Sequence, residues 1–102
     1  MKPTFLELRH LRTLLALKET GSVSMAAKRV YLTQSALSHQ IKLMEEQFGL
    51  PLFERKSNPL RFTAAGDRLI RLANEILPKV VDAERELARV KHGDAGQLRI
   101  AV

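Results

Sequence analysis

At 102 residues the chain has room for one small domain with a modest core, and too little for most multi-layer enzymes. Seventeen basic residues against eleven acidic ones give a formal charge of +6, which favours an anionic partner such as nucleic acid or an acidic membrane; positions 1–62 hold ten basic and five acidic residues, positions 63–102 seven and six. The absence of cysteine excludes disulfides and thiolate metal sites, and with no apolar run near the ~20 residues of a membrane span and no apolar signal core, the expectation is a soluble cytoplasmic protein.

Thr4 and Glu7 stand three apart ahead of an apolar-periodic segment, the spacing of a capping box, and predict a helix from about Phe5 to Glu19. Leu8, Leu11, Leu14 and Leu15 supply its buried stripe, Arg9, Arg12 and Lys18 lie outside it, and Gly21 ends it. Ser22 caps a short second helix over 23–30, whose Ala26 and Ala27 are small enough to let another helix cross closely. Only Tyr31, Leu32 and Thr33 separate it from a third helix, for which Thr33 is a good cap. Two helices joined so tightly, the second with a polar outer face, predict a helix-turn-helix.

In the third helix, Leu37, Ile41, Met44 and Phe48 fall at steps of four, three and four, so one stripe is apolar. The other side carries Ser35, Ser38, His39 and Lys42 after Gln34, with no acid before Glu45 and Glu46. A solvated face usually mixes Glu with Lys, whereas this set can donate to phosphates and base edges. The Gln34 amide suits adenine N6 and N7 in bidentate fashion. Ser35 either meets a base or merely tolerates the first turn, and Ser38 suits DNA. His39 follows Ser38 directly, but helical neighbours point about 100° apart and no third group is evident, so phosphate contact outweighs nucleophilic chemistry. Lys42 suits a phosphate too. Glu45 and Glu46 would repel phosphates, which confines DNA to the N-terminal half of the helix.

Gly49 closes this helix in the position favoured for a left-handed residue. Leu52 to Arg55 and Leu60 to Phe62, short and partly alternating, flank Lys56, Ser57, Asn58 and Pro59 and predict a small hairpin with a basic tip, a wing beside the helix-turn-helix. Lys56 suits a phosphate, and Arg55 either a phosphate or an internal pair with an acid such as Glu45. Thr63 caps a last helix running to about Lys91, with Asp67 early and Lys91 and His92 late, as the helix dipole prefers. At ~1.5 Å per residue it spans roughly 40 Å and must protrude or find a partner. Leu69, Ala73, Ile76, Val80, Ala83, Leu87 and Val90 follow an unbroken heptad seam that predicts a dimer, with packing on the first helix of a monomer as the alternative. Pro78 should bend this helix. Gln97 to Val102 reads as strand-like, and the apolar LRIAV ending predicts that a larger protein continues. His10 and His92 lack the neighbours of a metal site and receive no function. Nothing assembles a nucleophile, a base and a pocket, so neither an enzyme nor a cofactor is expected within these residues.

Taken together, LRHL at 8–11, GSVSMAAKRV at 21–30, TQSALSHQI at 33–41 and FGLPLFERKSNPLRFTAAG at 48–66 closely resemble the DNA-binding region of LysR-type transcriptional regulators. QSALSHQ and RKSNPLRFT look most like the branch that controls methionine-biosynthesis genes. The resemblance implies a mainly α fold: a winged helix-turn-helix of three helices and a two-stranded wing over 1–62, then a long dimerisation linker helix over 63–92. Positions 93–102 become a hinge and the start of a missing effector-binding domain, where a small-molecule effector is expected. The implied partners are a double-stranded DNA operator, a second copy through the linker helix, and a tetramer in the full-length protein. The family's major-groove readers fall on Gln34, Ser35, Ser38 and His39, with Thr33, Lys42 and Arg55 beside them. The family's wing approaches the minor groove, but Asn58 stands where many relatives carry arginine, which leaves any insertion to Lys56 or Arg61; His39 also replaces a common arginine. A helical protein-interaction module without specific DNA binding is the competing expectation, separable by duplex titration at moderate salt.

Overall fold

The computed structural model describes residues 4–54 and 59–92, in which four helices follow in order: α1 (Leu8–Thr20), α2 (Val23–Arg29), α3 (Gln34–Phe48) and α4 (Ala64–Lys91). Ser22, Thr33 and Thr63 cap α2, α3 and α4, each hydroxyl oxygen accepting the N–H three residues on, at 3.3 Å from Met25, 3.0 Å from Ala36 and 3.2 Å from Gly66. Gly21 and Gly49 close α1 and α3 at φ 68° and 67°, the left-handed conformation that a side chain disfavours.

α1 starts later than the Thr4 and Glu7 spacing suggests. Glu7 is the cap and His10 the third helical residue, and the Glu7 N–H donates to His10 Nδ1 at 2.9 Å in the reciprocal pattern of a capping box. The His10 ring is buried and stacks on Phe5, centroids 4.9 Å apart. The buried stripe is displaced as well: Leu11, Thr13, Leu14, Ala16 and Leu17 are buried, Leu15 is half-buried and Leu8 is exposed. With α2 on one side and α4 on another, α1 buries a broad arc rather than one row.

Two apolar groups make the core. Ala16, Leu17, Ala26, Ala27 and Leu37 join α1, α2 and α3, the two alanines allowing the close crossing. Leu14, Met44, Leu52 and Ile70 join α1, α3 and α4 to the segment after α3. Ile41, Phe53 and Phe62 pack against both groups and unite them. Phe48, at the end of the α3 stripe, remains 39% exposed.

The segment between α3 and α4 pairs through an antiparallel bridge, Phe53 with Phe62, whose rings lie 4.6 Å apart. The Glu54 N–H donates to the Arg61 carbonyl and the Thr63 N–H to the Leu52 carbonyl, each at 3.0 Å. This is the base of the expected wing; Arg55, Lys56 and Asn58 at its tip lie outside the described residues, as does the strand-like tail over 97–102. Glu45 Oε2 accepts the Leu52 N–H at 2.7 Å and so ties the wing base to α3.

α4 continues through Pro78 for 28 residues, about 42 Å at 1.5 Å per residue, along a molecule 52 Å in its longest extent. Its first turns pack on α1 through Ile70 and Ala73, and every residue from Val81 to Arg89 is exposed.

Candidate nucleic-acid interface

Gln34, Ser35, Ser38, His39 and Lys42 are all exposed and occupy an arc of about 140° on α3, counted at 100° per residue. Leu37 and Met44, fully buried, anchor the opposite side, so the core fixes which way the arc faces. The exposed Thr33 hydroxyl accepts the Ala36 N–H as the cap and keeps its own O–H to donate, beside the exposed side chains of Gln34 and Ser35. No acid interrupts the arc before Glu45, whose carboxylate is held by the Leu52 N–H. A set of amide, hydroxyl, imidazole and ammonium donors on a helix backed by a core can enter a groove and bond phosphates and base edges.

Arg61 is exposed on the return limb of the wing base, beside the paired Phe62. Of the remaining expected contacts, Arg55, Lys56 and Asn58 fall outside the described residues.

The heptad seam divides. Leu69 is half-buried and Ala73 fully buried where α4 lies on α1, so that end of the seam is used inside the subunit. Ile76, Val80 and Val90 are half-buried and Ala83 exposed, while Leu87 is 51% exposed. Val81, outside the seam, is 42% exposed and widens the apolar face.

Sequence reasoning missed two structural residues. His10, for which the sequence suggests no function, holds the start of α1, and the E-x-x-H spacing of Glu7 and His10 is the available signal. Glu45, expected to repel phosphate or to pair with Arg55, instead bonds the wing backbone among the described residues. Among the described residues, no group of three His, Asp or Glu is placed to hold a metal, and no helix is long and apolar enough to cross a membrane.

A family model for bacterial regulatory helix-turn-helix proteins of the lysR family matches residues 8–67, from the start of α1 into α4. The chain belongs to the LysR family. It is 90% identical over all 102 residues to the HTH-type transcriptional regulator MetR of Haemophilus influenzae, and 45% identical over 97 residues to MetR of Escherichia coli. The first match covers 100% of this chain and 33% of the relative, the second 95% and 30%, so the chain spans about a third of the length of these relatives. The relatives are named as transcriptional regulators, not enzymes. Among solved structures, the BenM DNA-binding domain in complex with catB site 1 DNA superposes with a TM-score of 0.77 at 35% identity, covering 86% of this chain and 95% of that one. The DNA-binding domain of CbnR in its DNA complex gives 0.68 at 29% identity, over 85% and 99%. The four-helix architecture is thus that of LysR-family DNA-binding domains.

Proposed function

We propose that this chain is the operator-reading part of a LysR-type bacterial transcriptional regulator, binding two related DNA half-sites as a homodimer and controlling methionine-biosynthesis genes. The acid-free arc from Gln34 to Lys42 carries this reading, because it places base-reading and phosphate-bonding groups on the exposed side of a helix whose other side is core. The MetR relatives support the methionine branch, and the BenM and CbnR complexes support the DNA partner. Gln34 reads a base, Ser35, Ser38 and His39 contact bases or backbone, and Lys42 neutralises a phosphate; Arg55, Lys56, Asn58 and Arg61 serve the wing. Positions 1–62 form the reading domain, 63–92 the dimerisation helix and 93–102 the lead into an effector domain, with a tetramer as the full-length assembly. A small molecule acts through that further domain.

Binding titrations with a selected duplex and a random one test the reading. Gln34→Ala lowers the preference for the selected duplex by roughly 1–3 kcal/mol, whereas Lys42→Ala weakens both duplexes alike and lowers the salt slope by about one. Equal losses on both duplexes for Gln34→Ala would remove its base-reading role.

A further inference from the structure

On the flank of the helix-turn-helix away from the proposed reading arc lies a second basic surface. Arg9 and Arg12 from α1, Arg29 from the end of α2 and Tyr31 from the turn surround a cleft of about 300 Å³, with Thr13 and Gln40 among its lining. Gln40 is about 160° round α3 from both Ser38 and Lys42, so the cleft and the reading arc face different ways.

Two features describe what the cleft fits. The first is charge. Arg9 pairs with Glu7 at 3.1 Å and Arg29 with Glu19 at 2.8 Å, both in solvated pairs of little strength, while Arg12 is exposed with no ion pair among the described residues. All three guanidinium groups are therefore open to carboxylates of another molecule. The second is Tyr31. It is 94% exposed and held at φ 60°, where glycine or asparagine would sit with less strain, so the turn presents a large ring to solvent. A peptide brings an apolar side chain for the ring along with carboxylates for the guanidinium groups.

We propose that this cleft docks an acidic segment of a protein partner while α3 holds DNA. Carboxylates of the segment bond Arg9, Arg12 and Arg29, and an apolar side chain covers the Tyr31 ring.

The test is fluorescence anisotropy with a labelled synthetic peptide of Glu, Asp and Leu, titrated with this chain alone and with the chain saturated by duplex DNA. Saturable binding is expected in both. Arg12→Glu weakens it at least about tenfold, the scale of one lost charge-assisted hydrogen bond. Tyr31→Asn, which keeps a residue suited to the turn, weakens it several-fold. Arg85→Glu on α4 makes the same charge change elsewhere and leaves peptide affinity within about twofold. The proposal falls if the wild-type chain does not bind saturably, or if Arg85→Glu matches Arg12→Glu. Displacement of the peptide by duplex also overturns it and assigns the cleft to DNA phosphates. The arm without DNA separates this outcome from any failure of operator reading.

Discussion

Because Nδ1 of His10 accepts the Glu7 N–H, the ring must stay neutral to keep the start of α1 capped. Burial pushes its pKa below the ordinary 6.5, the Arg9 charge pushes the same way, and Glu7 opposes them. The unfolded chain therefore takes up a proton at a pH where the folded one still refuses it. Stability is full above about pH 6.5 and falls as the pH drops through that value towards the lower folded pKa. Thermal melts between about pH 7.5 and 5.5 should show this decline. His10→Gln, a residue that also serves in capping boxes, should melt close to wild type at the upper pH and show a shallower decline. Parallel pH profiles for the two proteins would mean that His10 does not titrate in that window. Thr4, three before Glu7, and Glu7, three before His10, offer the same cap spacing one after the other. The sequence pattern does not choose between them; the stacking of Phe5 on His10 keeps residues 5 and 6 outside the helix and decides for the second.

At the scale of elements, the junction of the wing with α4 is governed by contact rather than propensity. Gly66 lies inside α4 with no strand or turn signal around it, and alanine there would ordinarily gain up to ~1 kcal/mol of helix propensity. A Cβ at Gly66 would instead run into the backbone carbonyl of Leu52 and come within 2.9 Å of the Phe62 ring. A carbonyl tied to Thr63 cannot turn aside as a flexible side chain would. Overpacking of this kind costs roughly 1–3 kcal/mol, so Gly66→Ala should lower the denaturation midpoint at unchanged m. An equal or higher midpoint would show that the wing base can slide away from α4. Helix ends were legible where one residue suffices, at Ser22, Thr33, Thr63 and Gly49. The buried face of α1 was less so: its leucines allow more than one stripe, and only the positions of α2 and α4 select the one through Leu11, Leu14 and Leu17. The exposed polar arc of α3 was legible because core and arc occupy opposite sides of one helix.

For the whole molecule, the question is what the second half of α4 packs against. Its first turns already use Ile70 and Ala73 on α1, so the seven-position seam is not uniformly available to a partner. Beyond Pro78 every residue from Val81 to Arg89 is exposed, and Leu87 stays half open to solvent on the same face as Val80 and Ala83. Covering the half of Leu87 still open contributes roughly 1 kcal/mol, and a twofold pair does so twice, so Leu87→Asp should weaken dimerisation by at least about 2 kcal/mol, near thirtyfold in Kd. Sedimentation equilibrium over a range of concentrations would show this as a shift from dimer to monomer with the helical signal of α1, α2 and α3 retained. Ala73→Asp makes the contrast: its site is inside the subunit, and a buried unpaired charge should unfold the chain rather than merely separate the subunits. The same shift has a readout on DNA. In the proposed homodimer two α3 helices held together engage two half-sites at once, so a monomeric Leu87→Asp variant should keep Lys42-dependent binding to a single half-site and lose the additional affinity for paired ones. If the variant stayed dimeric and still bound paired sites as wild type does, the exposed face beyond Pro78 would not be what joins the two copies.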